Sequence, residues 1–123
     1  MTAMPRKTIL ICDDEETMRQ LLRVVLDGNY DFEEAPDGPS ALELARRLRP
    51  DLIVLDVMLP GTGGIAVLEQ LRADECLAPV PVVIMTAWPQ MEKQAFDAGA
   101  SRFFAKPFEP EAMKDAVEEL LGQ

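Results

Sequence analysis

Three short apolar runs, TILIC at 8–12, DLIVLD at 51–56 and PVVIM at 81–85, constrain the fold more than any other feature of the chain. They are rich in Ile and Val and lack polar alternation, the pattern of parallel strands covered on both faces. Helical periodicity fills the intervals. Met18, Leu21, Leu22 and Val25 keep the i, i+3, i+4, i+7 spacing, with Gly28 placed to stop that helix. Ala41, Leu44, Ala45 and Leu48 repeat it and end before Pro50. Ile65, Leu68 and Leu71 mark a third helix after the turn PGTGG. Met91, Ala95 and Ala98 mark a fourth, with Gly99 as its stop. Met113, Ala116, Val117 and Leu120 mark a fifth, with Pro110 suited to its first turn. Weaker strands are expected around Phe32 and at 103–105. Five βα units in 123 residues predict an α/β fold, a doubly wound open parallel sheet with helices on both faces.

Bulk properties narrow the function. A chain of this length with 48% apolar residues supports one domain over 1–123 with an ordinary core. No run reaches the ~18 apolar residues of a membrane span, and the N-terminal MTAMPRKT lacks a signal-peptide h-region. A cytoplasmic location is therefore expected, with no membrane partner. Cys12 lies in an apolar run and Cys76 in a charged one, so no disulfide framework is expected. The absence of histidine argues against zinc. A net charge of −10 argues against direct nucleic-acid binding by this domain and suits a cation or a basic partner surface.

In doubly wound sheets ligands bind beyond the C-terminal ends of the strands, where the strand order reverses. The first strand ends in ILICDDEE, and adjacent carboxylates repel by up to ~4 kcal/mol at 4 Å separation near a protein surface. The run is either solvated or it meets a cation. Asp13 and Asp14 follow this strand, Asp56 ends the third, Thr86 follows the fourth and Lys106-Pro107 the fifth. Taken singly, each has an ordinary explanation: a helix cap, a turn residue or a solvated charge. The topology, however, brings all of them to one edge. Carboxylate oxygens without imidazole or thiolate select Mg²⁺, and a lysine beside them suits a carboxylate or a phosphoryl oxygen. One of the carboxylates could itself accept a phosphoryl group. Glu15 and Glu16 are expected to favour the start of the first helix.

From Lys7 to about Leu121 the chain resembles the receiver domain of two-component response regulators. The resemblance rests on DD at 13–14, LDVMLPG at 55–61, MTA at 85–87 and GASRFFAKPF at 99–108. It implies a flavodoxin-like five-stranded sheet of order 2-1-3-4-5, as in chemotaxis receivers. It also implies that Asp56 accepts the phosphoryl group of a sensor histidine kinase or a phosphotransfer protein. Asp14, Asp56 and the backbone carbonyl of Met58 would ligate Mg²⁺, with Asp13 acting through a metal-bound water. Thr86 would bond a phosphoryl oxygen and Lys106 would pair with Asp56 or the phosphate. Phe103 stands at the family's switch aromatic, and the Lys106-Pro107 bond is cis in the family. Phosphorylation would draw Thr86 in, let Phe103 rotate inward, and alter the face of the fourth helix, fifth strand and fifth helix. The recipient would be an output protein or a C-terminal output domain, and a homodimer through that face is consistent with the resemblance.

The sequence departs from the family in two places. Thr86 and Lys106 are separated by about two residues fewer than usual, or ~3 Å of helix, which places a shortening in the loop after the fourth strand or in the fourth helix. Pro89 lies in the same region. Trp88, two residues after Thr86, overlooks the acceptor and is expected, with Met58, to keep water from an acyl phosphate. Three rival readings are weaker. A degenerate, constitutive receiver does not need the intact acceptor set. A haloacid-dehalogenase-type phosphatase wants Asp-x-Asp after its first strand and a cap domain. A flavodoxin-like electron carrier needs a hydroxyl-rich phosphate loop where this chain has DDEETM.

Overall fold

The apolar runs form the centre of a parallel sheet. A computed structural model of the protein describes residues 6–28 and 30–122. The chain alternates β1 (Lys7–Cys12), α1 (Glu16–Val25), β2 (Tyr30–Ala35), α2 (Gly38–Leu48), β3 (Leu52–Asp56), α3 (Gly64–Ala73) and β4 (Val82–Thr86). A 3₁₀ turn (Pro89–Met91), α4 (Glu92–Asp97), β5 (Arg102–Ala105) and α5 (Pro110–Leu121) follow. The strand order is β2-β1-β3-β4-β5 with every pairing parallel, the flavodoxin-like doubly wound arrangement expected. β3 and β4 are buried along their whole length, which is why they lack polar alternation.

Strand periodicity divides the core in two. Leu10, Cys12, Ile53, Leu55 and Ile84 face α2, α3 and α4, meeting Leu42, Val67, Leu68, Leu71 and Ala95. Ile9, Ile11, Leu52, Val54, Val83 and Met85 face α1 and α5, meeting Leu22, Leu26, Met113 and Val117. Each fully buried Leu or Ile contributes about 1.5–3 kcal/mol of transfer free energy, so these layers fix the strand ends that carry the polar residues. Among the described residues, no helix is long and apolar enough to cross a membrane.

The helix ends follow local chemistry, with one difference from expectation. Asp37 caps α2 by accepting the Ser40 N–H at 2.8 Å, with Pro39 in the first turn. α1 ends at Val25 with Leu26 as its cap, so Gly28 is not its stop. Gly28 instead takes φ 150° in the turn toward β2, a conformation open to glycine. α4 has six residues and is entered through the Pro89–Met91 turn. Gly99 does terminate α4, at φ 112°.

Arg72 pins that end of α4 to the rest of the molecule. Its Nε donates to the Gly99 carbonyl at 2.9 Å, and one terminal nitrogen donates to the carbonyls of Ala78 (3.0 Å) and Val80 (2.6 Å). A side chain at residue 99 would stand 2.8 Å from Arg72 Cγ, so glycine serves both the turn and the close approach.

Candidate functional site

Every polar residue singled out at a strand end reaches one edge of the sheet. β1 delivers Asp13, whose side chain is completely buried; β3 ends in Asp56 at 4% exposure; β4 ends in Thr86 at 0%. Those burials are unusual for such groups and require partners. Lys106, just past β5, supplies those of the two aspartates. Its Nζ donates to Asp13 Oδ2 at 2.8 Å and to Asp56 Oδ2 at 3.0 Å, bridging residues 93 and 50 positions away. The Lys106 backbone N–H donates to the Thr86 carbonyl at 2.7 Å, which fixes the start of the lysine side chain. The Lys106-Pro107 peptide is cis, in agreement with the resemblance.

The remaining carboxylate oxygens are held by backbone donors. Asp13 Oδ1 accepts the Glu15 N–H at 2.8 Å, and Asp56 Oδ1 accepts the Met58 N–H at 3.0 Å. Thr86 Oγ1 accepts the Trp88 N–H at 3.1 Å. Met58 and Trp88 are therefore tied through their own backbones to Asp56 and Thr86. Both are large apolar residues left exposed, at 55% and 48%. Phe103 is half-buried, with its ring 6.5 Å from that of Phe96 on α4.

Charge in the site does not balance. Burial pushes the Asp13 carboxyl above the usual carboxylate range, against the pull of the Lys106 hydrogen bond. Burial on its own would lower the Lys106 ammonium, but its hydrogen bonds to Asp13 and Asp56 outweigh this and hold it above the usual lysine value. One ammonium thus faces Asp13 and Asp56, with the exposed Asp14 and Glu15 alongside. Oxygens of Asp13, Asp14 and Glu15 lie within 4.8 Å of one another. Glu15 belongs to this group although its sequence position suggested only a helix start. It also occupies the N-cap position of α1, without a side-chain cap bond. A donor set made only of carboxylate oxygens fits a hard divalent cation. Cys12 is not part of this chemistry: burial, with the charge of Asp13 adding to it, pushes its thiol far up and leaves it a small apolar core residue.

Comparison with known proteins identifies the family. The DNA-binding dual master transcriptional regulator RpaA of Synechocystis is 43% identical over 121 residues, covering 96% of this chain and 49% of RpaA. The DNA-binding response regulator MtrA of Mycobacterium tuberculosis is 40% identical, covering 88% of this chain and 47% of MtrA. The chain thus spans about half the length of the curated relatives it matches. Among solved structures, the Francisella response regulator 1452 receiver domain superposes with a TM-score of 0.87 at 27% identity, covering 95% of this chain and 98% of that one. The chemotaxis response regulator CheY4 of Vibrio cholerae gives 0.85 at 30% identity, covering 94% and 99%. The family model of the response regulator receiver domain matches residues 9–118, and the chain belongs to that family of two-component signalling switches.

Proposed function

We propose that Asp56 is the phosphoacceptor of a single receiver domain spanning 1–123, charged by a sensor histidine kinase or a phosphotransfer protein and read by an output domain or protein. The observation that carries the reading is the Lys106 ammonium, held between the buried carboxylates of Asp13 and Asp56 at 2.8 and 3.0 Å. A lysine so placed meets charge that develops on a phosphoryl group arriving at Asp56. Asp14, Asp56 and the Met58 carbonyl would hold Mg²⁺, with Asp13 acting through water; Glu15 is a further oxygen donor at the same mouth. Bound there, Mg²⁺ would neutralise the equatorial oxygens of the group in transfer. Thr86 would donate a hydrogen bond from its hydroxyl to a phosphoryl oxygen, and Phe103 would rotate inward as Thr86 moves. The exposed surface of α4, β5 and α5 is then the readout, as a population shift between two packings. The protein is a signalling switch that assists its own phosphorylation. A cytoplasmic setting fits this chemistry, as does a homodimer through the same face; this domain would not itself contact nucleic acid.

Trp88 is the sole tryptophan and reports on this site. Acetyl phosphate should change its fluorescence when Mg²⁺ is present, and leave it unchanged after chelation of the metal or in Asp56→Asn. A response of equal size in Asp56→Asn would refute the acceptor assignment. Trp88 and Met58 are also expected to slow hydrolysis by keeping water from the acyl phosphate. In Trp88→Ala the phosphorylated form, followed by intact mass after the donor is removed, should decay several-fold faster than wild type. Equal decay would mean that Trp88 shields nothing.

A further inference from the structure

The short helix α4 is firmly tied at its C-terminal end. The Gly99 N–H donates to the Phe96 carbonyl and the Ala100 N–H to the Ala95 carbonyl, both at 3.0 Å, while Arg72 of α3 holds the Gly99 carbonyl at 2.9 Å. The last turn of α4 is therefore not free to slide, and Phe96 sits on it. That ring is 45% exposed, more than a packing role alone would require. Its aromatic neighbour is Phe103, at a centroid distance of 6.5 Å and an interplanar angle of 45°.

Phe103 in turn has another place to go. Across the β4–β5 ladder Thr86 pairs with Ala105 and Ile84 with Phe103, so Phe103 shares a sheet face with Thr86 and stands one two-residue step away. As it stands the ring packs toward Phe96, and the inward rotation proposed above would carry it toward Thr86 instead. The two placements compete for one ring.

We propose that Phe96 is a positioning residue, a latch that holds Phe103 in its outward packing and so sets how much of the switched form exists before phosphorylation. This rests on the acceptor reading above and adds to it the residue that fixes the resting equilibrium. A contact made in only one of two packings biases them by its own strength, and by linkage alters the affinity of any ligand of the other packing by the same factor. For an aromatic pair that factor is about twofold or more, and it is felt in full when the resting packing dominates.

The test uses this chain with Mg²⁺ and beryllofluoride as a phosphoryl mimic. It compares wild type, Phe96→Ala and Phe96→Tyr, the last keeping the ring. Aromatic NMR resonances of Phe103 are recorded without metal or mimic, and beryllofluoride is then titrated with Trp88 fluorescence as readout. In Phe96→Ala the Phe103 resonances should move part of the way toward their positions in saturated wild type, and the half-saturating concentration should fall about twofold or more. Phe96→Tyr should stay with wild type in both. If wild type saturates normally while Phe96→Ala matches it in resonances and titration, the latch is wrong and the acceptor reading stands. A wild type that shows no saturable response overturns the acceptor reading and the latch together.

Discussion

Replacing Gly64 by alanine should lower the melting temperature by about 10 °C, although residue 64 carries no chemistry. α3 begins at Gly64 and is pressed onto the end of β3, with the Gly64 N–H donating to the Val57 carbonyl at 2.8 Å. A β-carbon there would stand 2.3 Å from the Asp56 carbonyl oxygen and 2.6 Å from Val57 Cα. Both are backbone atoms, so no side-chain rotation relieves the overlap. Either α3 retreats, pulling the buried Val67, Leu68 and Leu71 with it, or the end of β3 shifts and takes Asp56 along. Overpacking of this kind costs about 3 kcal/mol, the upper part of the usual range. Phosphoryl transfer to Asp56 should slow as well, because catalysis by positioning is sensitive to displacements of the order of ~1 Å. Gly63→Ala is the control: its β-carbon would meet only the Val57 carbonyl oxygen, at 4.0 Å, and its φ of −62° suits alanine. Thermal melts of the two variants decide the matter, and a Gly64→Ala protein that melts with Gly63→Ala would contradict this account of the β3–α3 junction.

Lys106→Met should cost about 3 kcal/mol at neutral pH in the absence of divalent metal. The substitution leaves Asp13 and Asp56 at 0% and 4% exposure with no ammonium between them. Removing one side of a buried ion pair typically destabilises by ~3–5 kcal/mol, and the lower end applies because the Lys106 side chain retains 12% exposure. The sign of the pH dependence follows. Burial already raises the folded pKa of Asp13 above its unfolded value, and loss of the lysine removes what opposes that, so the folded state binds more protons and stability returns as the pH falls through the folded value. Urea unfolding should therefore show the variant recovering stability on acidification from neutral pH, more than wild type does. Millimolar Mg²⁺ should restore part of the loss at neutral pH. A variant as stable as wild type at neutral pH without metal would show that the lysine is not what holds this edge together.

The fold was legible because its central strands are covered on both faces. β3 and β4 have no exposed position to carry a polar residue, so their runs stand out unbroken. β2 was fainter because it is an edge strand, with Tyr30 and Ala35 buried but Asp31 and Glu33 in solvent. The candidate site could be read from topology: strand ends converge whatever the loops do, which brings Lys106 to Asp13 across 93 residues.

Features that depend on the pitch of one turn or the approach of two backbones were not legible. Glu15 joins the acidic group because its own N–H is bound by Asp13 Oδ1, a local rotation that composition does not encode. Gly28 looks like a helix stop but serves the next turn, since α1 closes through Leu26. The spacing between Thr86 and Lys106 left open how that stretch divides; the chain spends it on a 3₁₀ turn and a six-residue α4. Nothing in the sequence pattern singles out Arg72 or Phe96; their roles come from Gly99 and Phe103, which the fold places against them.

The most direct measurement is intact mass after brief incubation with Mg²⁺ and either acetyl phosphate or a phosphorylated kinase, on wild type and Asp56→Asn. Transfer to Asp56 predicts one added phosphoryl group of about 80 Da in wild type and none in the variant. No adduct on wild type from either donor at saturating Mg²⁺, or an equal adduct on both proteins, would contradict it.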